Sequence, residues 1–146
     1  MSTLYEADFY TWIQEQARAL RDGRFTELDL EHLAEEIEDL GKSEGKALEA
    51  QMVRLLAHLL KWSYQPEKRA LGHSWDDSIR DARNLIELAL EDNPGLAPRL
   101  GEFFERSYPR AVRWASRDTG LAAAVFPKDC PWTWEQVIDP EFFPNG

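Results

Sequence analysis

The feature that most constrains the fold is a long apolar stripe within residues 28–64. Its apolar side chains recur in steps of three and four, at Leu30, Leu33, Ile37, Leu40, Leu48, Met52, Leu55, Leu59 and Trp62. That spacing is typical of an amphipathic helix that packs one face against a core. Gly41 and Gly45 interrupt the stripe, but its phase is the same on both sides of them. The sequence therefore predicts either one long helix or two helices that meet at a short break near residue 42.

Three further segments show helical patterning on either side of this stripe. We predict helices over residues 5–22, 74–91 and 98–118. Gly23 and Gly120 are placed to end the first and the last of them in the left-handed conformation. No strand-like alternation, internal repeat or low-complexity run is present in the sequence.

The boundaries of these helices have recognisable signals. Thr26 or Asp29 can cap the long helix, and Ser74 followed three residues later by Asp77 is a cap for the next one. Pro109 falls inside the last predicted helix, where a proline should kink or split it.

Residues 121–146 form a tail that differs in character from the rest of the chain, because from Phe126 onward prolines alternate with aromatic residues. Thr133 and Gln136 have the spacing of a capping box and predict a single helical turn. So many aromatic side chains in an irregular segment indicate that this tail packs on the helices. We predict an all-α fold: one helical-bundle domain over residues 1–146, with four to five helices and a packed tail.

The net charge and the cysteine content limit which kinds of partner the protein can bind and which cellular compartment suits it. The net charge of −10 argues against nucleic acid as a partner, because phosphate binding depends on lysine and arginine. A lone cysteine, Cys130, excludes an internal disulfide and agrees with a reducing cytoplasm. No apolar run reaches the length of a membrane span, and the N-terminus lacks a signal-peptide pattern, so we expect no membrane partner.

Several short motifs follow one another along the chain. They are DFYxW at 8–12, LAEEIE at 33–38 with GKSE at 41–44, HLLKW at 58–62 with YQP at 64–66, SW at 74–75, and FPxxCPW at 126–132 with DPxF at 139–142. In this order they resemble DUF29, a family of small bacterial proteins named for its lack of known function. The resemblance implies a compact helical bundle and a bacterial source, and it implies no activity. His32 departs from the family pattern, which has asparagine there.

One polar pattern lies beside the apolar stripe: Glu44, Gln51 and His58 are seven residues apart. On a continuous helix successive members are about 10 Å apart, so a site would need partners from another helix. Asp76, Arg80 and Arg83 are the obvious suppliers. Such a group could hold a metal or a small polar ligand. Alternatively, the acids and arginines pair across a helix–helix contact and fix its register.

The segment 61–73 is the most basic part of the chain and interleaves cations with aromatic residues. The cationic and aromatic residues of this segment, together with Trp75 just after it, are Lys61, Trp62, Tyr64, Lys68, Arg69, His73 and Trp75. This composition can stack a base or hold an anion. If a pocket exists, its wall is this loop with Arg80 and Arg83. The alternative is that the aromatic residues are core and the cations coat an exposed turn.

Templates for catalysis are not matched. The sequence contains no HxxxH, HExxH, GxSxG or phosphate-binding glycine loop, and only loose echoes of a carboxylate–histidine metal motif at residues 29–32 and 73–76. Cys130 is interpreted as an inert packed thiol. We therefore predict no catalytic and no metal-binding residue, and no cofactor is indicated.

Together these observations favour a non-enzymatic binding or protein-interaction module of the bacterial cytoplasm, with an unidentified protein partner. The alternative is a metal- or small-ligand-binding bundle, with or without enzymatic activity. Its site would lie between the long helix and the 74–91 helix. The predicted ligand-binding residues are Glu44, His58, Trp62, Asp76, Arg80 and Arg83. A homodimer is compatible with the sequence, and nothing in the sequence requires one.

Overall fold

The computed structural model describes residues 3–71 and 74–145. Within those ranges the regular structure is helical and contains no strand, which confirms the all-α prediction. The α-helices are α1 (Leu4–Ala7), α2 (Phe9–Asp22), α3 (Leu30–Tyr64), α4 (Ser74–Asp92), α5 (Leu100–Thr119) and α6 (Trp134–Ile138). Short 3₁₀ helices occupy Phe25–Glu27, Pro66–Leu71, Pro94–Arg99 and Ala123–Val125.

The chain divides into two compact units, Met1–Ser43 and Glu44–Gly146. We call them the N-terminal unit and the C-terminal unit and describe each by itself. The proposal that residues 1–146 form a single domain stays a prediction.

In the N-terminal unit, the prediction of one helix over residues 5–22 is wrong, because Asp8 divides it. Asp8 has a non-helical backbone (φ −151°, ψ 82°), and its carboxylate accepts hydrogen bonds from the backbone N–H and the hydroxyl of Thr11. It therefore ends α1 and caps α2. Gly23 ends α2 in the left-handed conformation (φ 72°), as predicted.

An aromatic cluster joins α1 and α2 to the start of α3. The ring of Tyr5 stacks on His32 with centroids 3.9 Å apart, and the indole N–H of Trp12 donates to Asp29 at 3.3 Å. Asp29 also accepts from the backbone N–H of His32 and so caps α3. Of the two predicted caps, Asp29 serves, whereas Thr26 lies in a 3₁₀ helix.

The long helix α3 runs without a break from Leu30 to Tyr64. Of the two arrangements that the sequence left open, the continuous helix is the one observed. Its part in the C-terminal unit carries the buried stripe: Leu48, Met52, Leu55 and Leu59 have no exposed surface.

The core of the C-terminal unit is built from α3, α4, α5 and the tail. Its fully buried apolar side chains outside α3 are Ile79, Ala82, Ile86, Ala111 and Ala115, and Phe103, Tyr108, Phe126 and Val137 are at most 4% exposed. Burial of this much apolar surface is the main stabilising term of the fold. Two of the polar groups inside it are paired as follows: Lys61, 6% exposed, donates to Asp118 at 2.5 Å, and the hydroxyl of Tyr108 donates to the carbonyl of Pro127 at 2.7 Å.

The predicted helix 74–91 matches α4 to within one residue. The predicted helix 98–118 begins later, at Leu100, because residues 94–99 form a 3₁₀ helix. Pro109 does not split α5, and its position is exposed, so water can bond the helix carbonyl that lacks a partner N–H. Gly120 ends α5 with φ 76°, as predicted.

In the tail, the predicted capping box of Thr133 and Gln136 is present and begins α6. None of the helices described is both long and apolar enough to cross a membrane.

Candidate functional site

The structure brings four of the six predicted ligand-binding residues together, around the ring of Phe143. Trp62 lies 4.9 Å from that ring between centroids, and the guanidinium carbons of Arg80 and Arg83 lie 5.3 Å and 5.4 Å from its centroid. Asp76 joins them through Arg80, whose Nε donates to its carboxylate at 2.8 Å. All of these residues belong to the C-terminal unit.

Glu44 and His58 have other partners. Glu44 is exposed and accepts from Asn93 at 3.3 Å. His58 is 8% exposed, its Nδ1 lies 2.8 Å from the carbonyl of Arg54, and its ring meets the face of Trp114 edge-on at 5.6 Å. Burial lowers the pKa of His58 below its ordinary value, so the ring is neutral at pH 7. The seven-residue spacing therefore does not gather these side chains into one site.

Helix geometry explains why Asp76, Arg80 and Arg83 share one side of α4. They are spaced four and three residues apart, which places them one above the other on a helix. Trp62 comes from the last turn of α3, and Phe143 comes from the tail.

Arg83 is the most constrained member, with only 3% of its surface exposed. Its Nε donates to the carbonyl of Val137 at 2.8 Å, and its Nη2 donates to the carbonyl of Phe142 at 2.7 Å. Its Nη1 is buried and has no hydrogen-bond partner in the part of the chain that the structure describes. Burial lowers the pKa of Arg83, because desolvation disfavours the charged form.

A third arginine joins the group from the 3₁₀ helix that follows α3. The guanidinium carbon of Arg69 lies 5.0 Å from the centroid of Trp62. Its Nε donates to the carbonyl of Trp62 at 2.7 Å, and its Nη2 reaches the carbonyl of Pro144 at 3.5 Å. We call Trp62, Arg69, Arg80, Arg83 and Phe143 the arginine–aromatic cluster.

A comparison with known families covers almost the whole chain. The model of the domain of unknown function DUF29 matches residues 4–143, which confirms the resemblance of the sequence motifs. The chain belongs to the DUF29 family. Searches of the curated proteins and of the solved structures found no match.

Two members of the cluster in this DUF29 protein were not among the predicted ligand-binding residues. Arg69 has a signal in the sequence, because it lies in the basic segment 61–73, which with Arg80 and Arg83 is the predicted wall of a pocket if one exists. Phe143 had none, since no pattern in the tail links it to α3 or α4. Among residues 3–71 and 74–145, no group of three His, Cys, Asp or Glu side chains is placed to hold a metal ion. His73, part of one loose metal-motif echo, lies outside the described residues.

A second feature of the DUF29 chain is the distribution of its exposed apolar side chains. Twelve large apolar residues are exposed among those described, and nine of them belong to the N-terminal unit. These nine are Leu4, Phe9, Tyr10, Ile13, Leu20, Phe25, Leu30, Ile37 and Leu40. We call this set the N-terminal apolar surface.

Proposed function

We propose that this DUF29 protein is a non-catalytic protein-interaction module. Its N-terminal apolar surface binds a basic amphipathic helix of a partner protein. The observation that carries the proposal is the concentration of nine exposed large apolar side chains within residues 4–40. Single exposed apolar residues are ordinary on protein surfaces, whereas a concentration of them is typical of an interaction site.

The exposed side chains follow helical rows. On α3, Leu30, Ile37 and Leu40 recur at spacings of seven and three and are 66–70% exposed. On α2, Phe9 and Ile13 are spaced by one helical turn and are about 40% exposed (42% and 39%). Rows of this spacing are what an amphipathic helix contacts when it lies along another helix.

Charge selects the chemistry of the partner. Residues 28–40 contain six acidic side chains and no lysine or arginine. Glu31 and Glu38, both exposed, follow Leu30 and Ile37 by one residue each and flank the apolar row on one side. A partner helix with lysine or arginine beside its apolar row would pair with these acids, whereas a second acidic copy of this chain would be repelled.

The same charge argument supports a protein partner over nucleic acid, since the whole chain carries a net charge of −10. The single cysteine supports a reducing compartment. With the bacterial source that the family motifs indicate, we place the interaction in the bacterial cytoplasm.

The test uses a photo-crosslinking amino acid at position 37 of the full chain, compared with position 88. Leu88 is a matched control, because like Ile37 it is an exposed aliphatic residue on a helix (53% exposed) but lies in the C-terminal unit. We expect crosslinks from position 37 to one partner segment that carries net positive charge and has apolar residues every three or four positions. The affinity of the purified protein for this partner segment should fall as the salt concentration rises. It should also fall in the double variant Ile37→Ser/Leu40→Ser and stay unchanged in Leu88→Ser.

Three outcomes would overturn the proposal. The first is crosslinks from position 37 to a second copy of the chain, together with a dimer in analytical ultracentrifugation. The second is a partner segment that is acidic or that binds independently of salt. The third is the same crosslinking pattern from positions 37 and 88.

A further inference from the structure

The arginine–aromatic cluster in the C-terminal unit points to a second binding site that does not depend on the proposed function. We infer that this cluster binds a small oxyanion, a carboxylate or a phosphate group, at Arg83 and Arg80. In a chain with a net charge of −10, three guanidinium groups gather around two adjacent rings.

Direct counter-charge within the cluster is scarce. Asp76 pairs with Arg80, but the hydrogen bonds of Arg69 and Arg83 go to backbone carbonyls. The negative charge of Asp139 acts on Arg83 without forming an ion pair among the residues described. Among the described residues, three guanidinium groups thus share one carboxylate in direct contact, so positive charge is in excess within the cluster.

Arg83 shows where the anion binds. A buried guanidinium is costly unless its charge is neutralised and its N–H groups are bonded. The carbonyls of Val137 and Phe142 satisfy two of its nitrogens, and Nη1 is left without a partner in the described chain. An anionic oxygen on Nη1 supplies both the missing hydrogen bond and the missing negative charge.

Arg80 supplies the accessible side of the site. Its side chain is 58% exposed, and Asp76 takes only its Nε, so its two terminal nitrogens are open to a ligand within the described structure. Arg80 and Arg83 lie at nearly the same distance from Phe143, and the ring holds both by cation–π contact. Each guanidinium group has the planar geometry that matches the paired oxygens of a carboxylate or phosphate.

The test titrates the full-length protein with inorganic phosphate and, separately, with acetate, each against chloride at constant ionic strength. The readouts are the NMR signals of the arginine Nε–Hε groups and the thermal unfolding temperature. We expect saturable shifts of the Arg80 and Arg83 signals and a rise in the unfolding temperature with at least one anion. The two arms tell a phosphate ligand from a carboxylate ligand.

Matched variants make the test specific. Arg80→Gln should weaken anion binding by about tenfold or more, because a charge-assisted hydrogen bond is lost. Arg99→Gln is the control: Arg99 is 55% exposed, pairs with Glu102 at 3.0 Å and lies 5.1 Å from the ring centroid of Phe103, yet is outside the cluster. Arg83→Lys keeps the positive charge but removes the planar guanidinium group with its several N–H donors, so the affinity of this variant for the anion should also fall. The inference is overturned if neither anion gives saturable shifts, or if Arg80→Gln and Arg99→Gln bind equally.

Discussion

Gly45 of α3 lies against the ring of Phe103 of α5, so close that a Cβ atom at position 45 would be 3.2 Å from Cζ of that ring. Both residues are buried, and Phe103 is only 2% exposed. Gly45, one of the two glycines that interrupt the apolar stripe of the sequence, therefore lies where α3 contacts α5. Gly41, one turn earlier, is exposed, and a Cβ added there would meet nothing within 4 Å.

Replacing each of these glycines by alanine should have opposite effects on the free energy of unfolding. Alanine favours an exposed helix interior over glycine by about 1 kcal/mol, so Gly41→Ala should stabilise the protein by up to that amount. Gly45→Ala gains the same propensity but pushes a buried ring, so it should be destabilising by about 1 kcal/mol. Urea denaturation of the two variants checks this. A Gly45→Ala variant as stable as Gly41→Ala would mean that Phe103 is free to move.

Leu40 and Leu48 share the apolar stripe in the sequence but differ in burial, at 68% and 0% exposed. Leu48→Ala should lower the free energy of unfolding by about 2–5 kcal/mol, the usual cost of a cavity in a core. Leu40→Ala should change it by about 0.5 kcal/mol or less, because most of that side chain is already in contact with water. Chemical denaturation measures both. A loss above about 1.5 kcal/mol for Leu40→Ala would show that the N-terminal apolar surface packs inside the folded chain.

This pair also shows how far the sequence predicts the fold. Helix ends at Gly23, Gly120 and Thr133 were predictable, because capping depends on neighbouring residues. Periodicity identifies which side of a helix is apolar, but it does not say what covers that side. Leu40 and Leu48 therefore looked alike, although only Leu48 lies in the core.

The candidate site was predicted in part for a similar reason. The 4-and-3 spacing of Asp76, Arg80 and Arg83 is local, so their common side of α4 could be read from the sequence. The partners of Arg83 are backbone carbonyls of the tail, and a carbonyl has no signature in the amino-acid pattern. The spacing of Glu44 and His58 along one helix groups them, but it cannot reveal that Glu44 accepts from Asn93 and that His58 lies against the carbonyl of Arg54 in its own helix.

The histidines His32 and His58 should titrate on opposite sides of their ordinary pKa of about 6.5. The hydrogen bond to Asp29 raises the pKa of His32, whereas burial lowers the pKa of His58. His32 therefore stabilises the fold at pH values below its ordinary pKa. This stabilisation is lost as the pH rises through the pKa of His32 in the folded protein. His58 binds its proton more readily when unfolded, so its contribution is lost as the pH falls.

The check is NMR titration of the ring protons, with His32→Asn and His58→Gln used for assignment. Beside His32 lie the acids Asp29, Glu31 and Glu35, and the charges acting on His58 are those of Lys61, Arg54 and Asp118. His32→Asn should flatten the loss of stability at the alkaline end, and His58→Gln should flatten the loss at the acid end. Equal midpoints for the two rings would contradict both assignments.

Arg83 should be the arginine on which the position of the tail depends. Arg83→Met keeps the length of the side chain but removes the hydrogen bonds to the carbonyls of Val137 and Phe142. Hydrogen bonds from a charged group contribute about 1.5–3 kcal/mol each, and removal of the buried charge offsets part of that loss. We therefore expect the free energy of unfolding to fall by about 2–4 kcal/mol, with faster amide exchange in α6. Arg117→Met is the control, since the side chain of Arg117 is 76% exposed and its Nε lies 3.7 Å from the carboxylate of Asp118. Unchanged exchange in α6 of Arg83→Met would show that the position of the tail does not depend on Arg83.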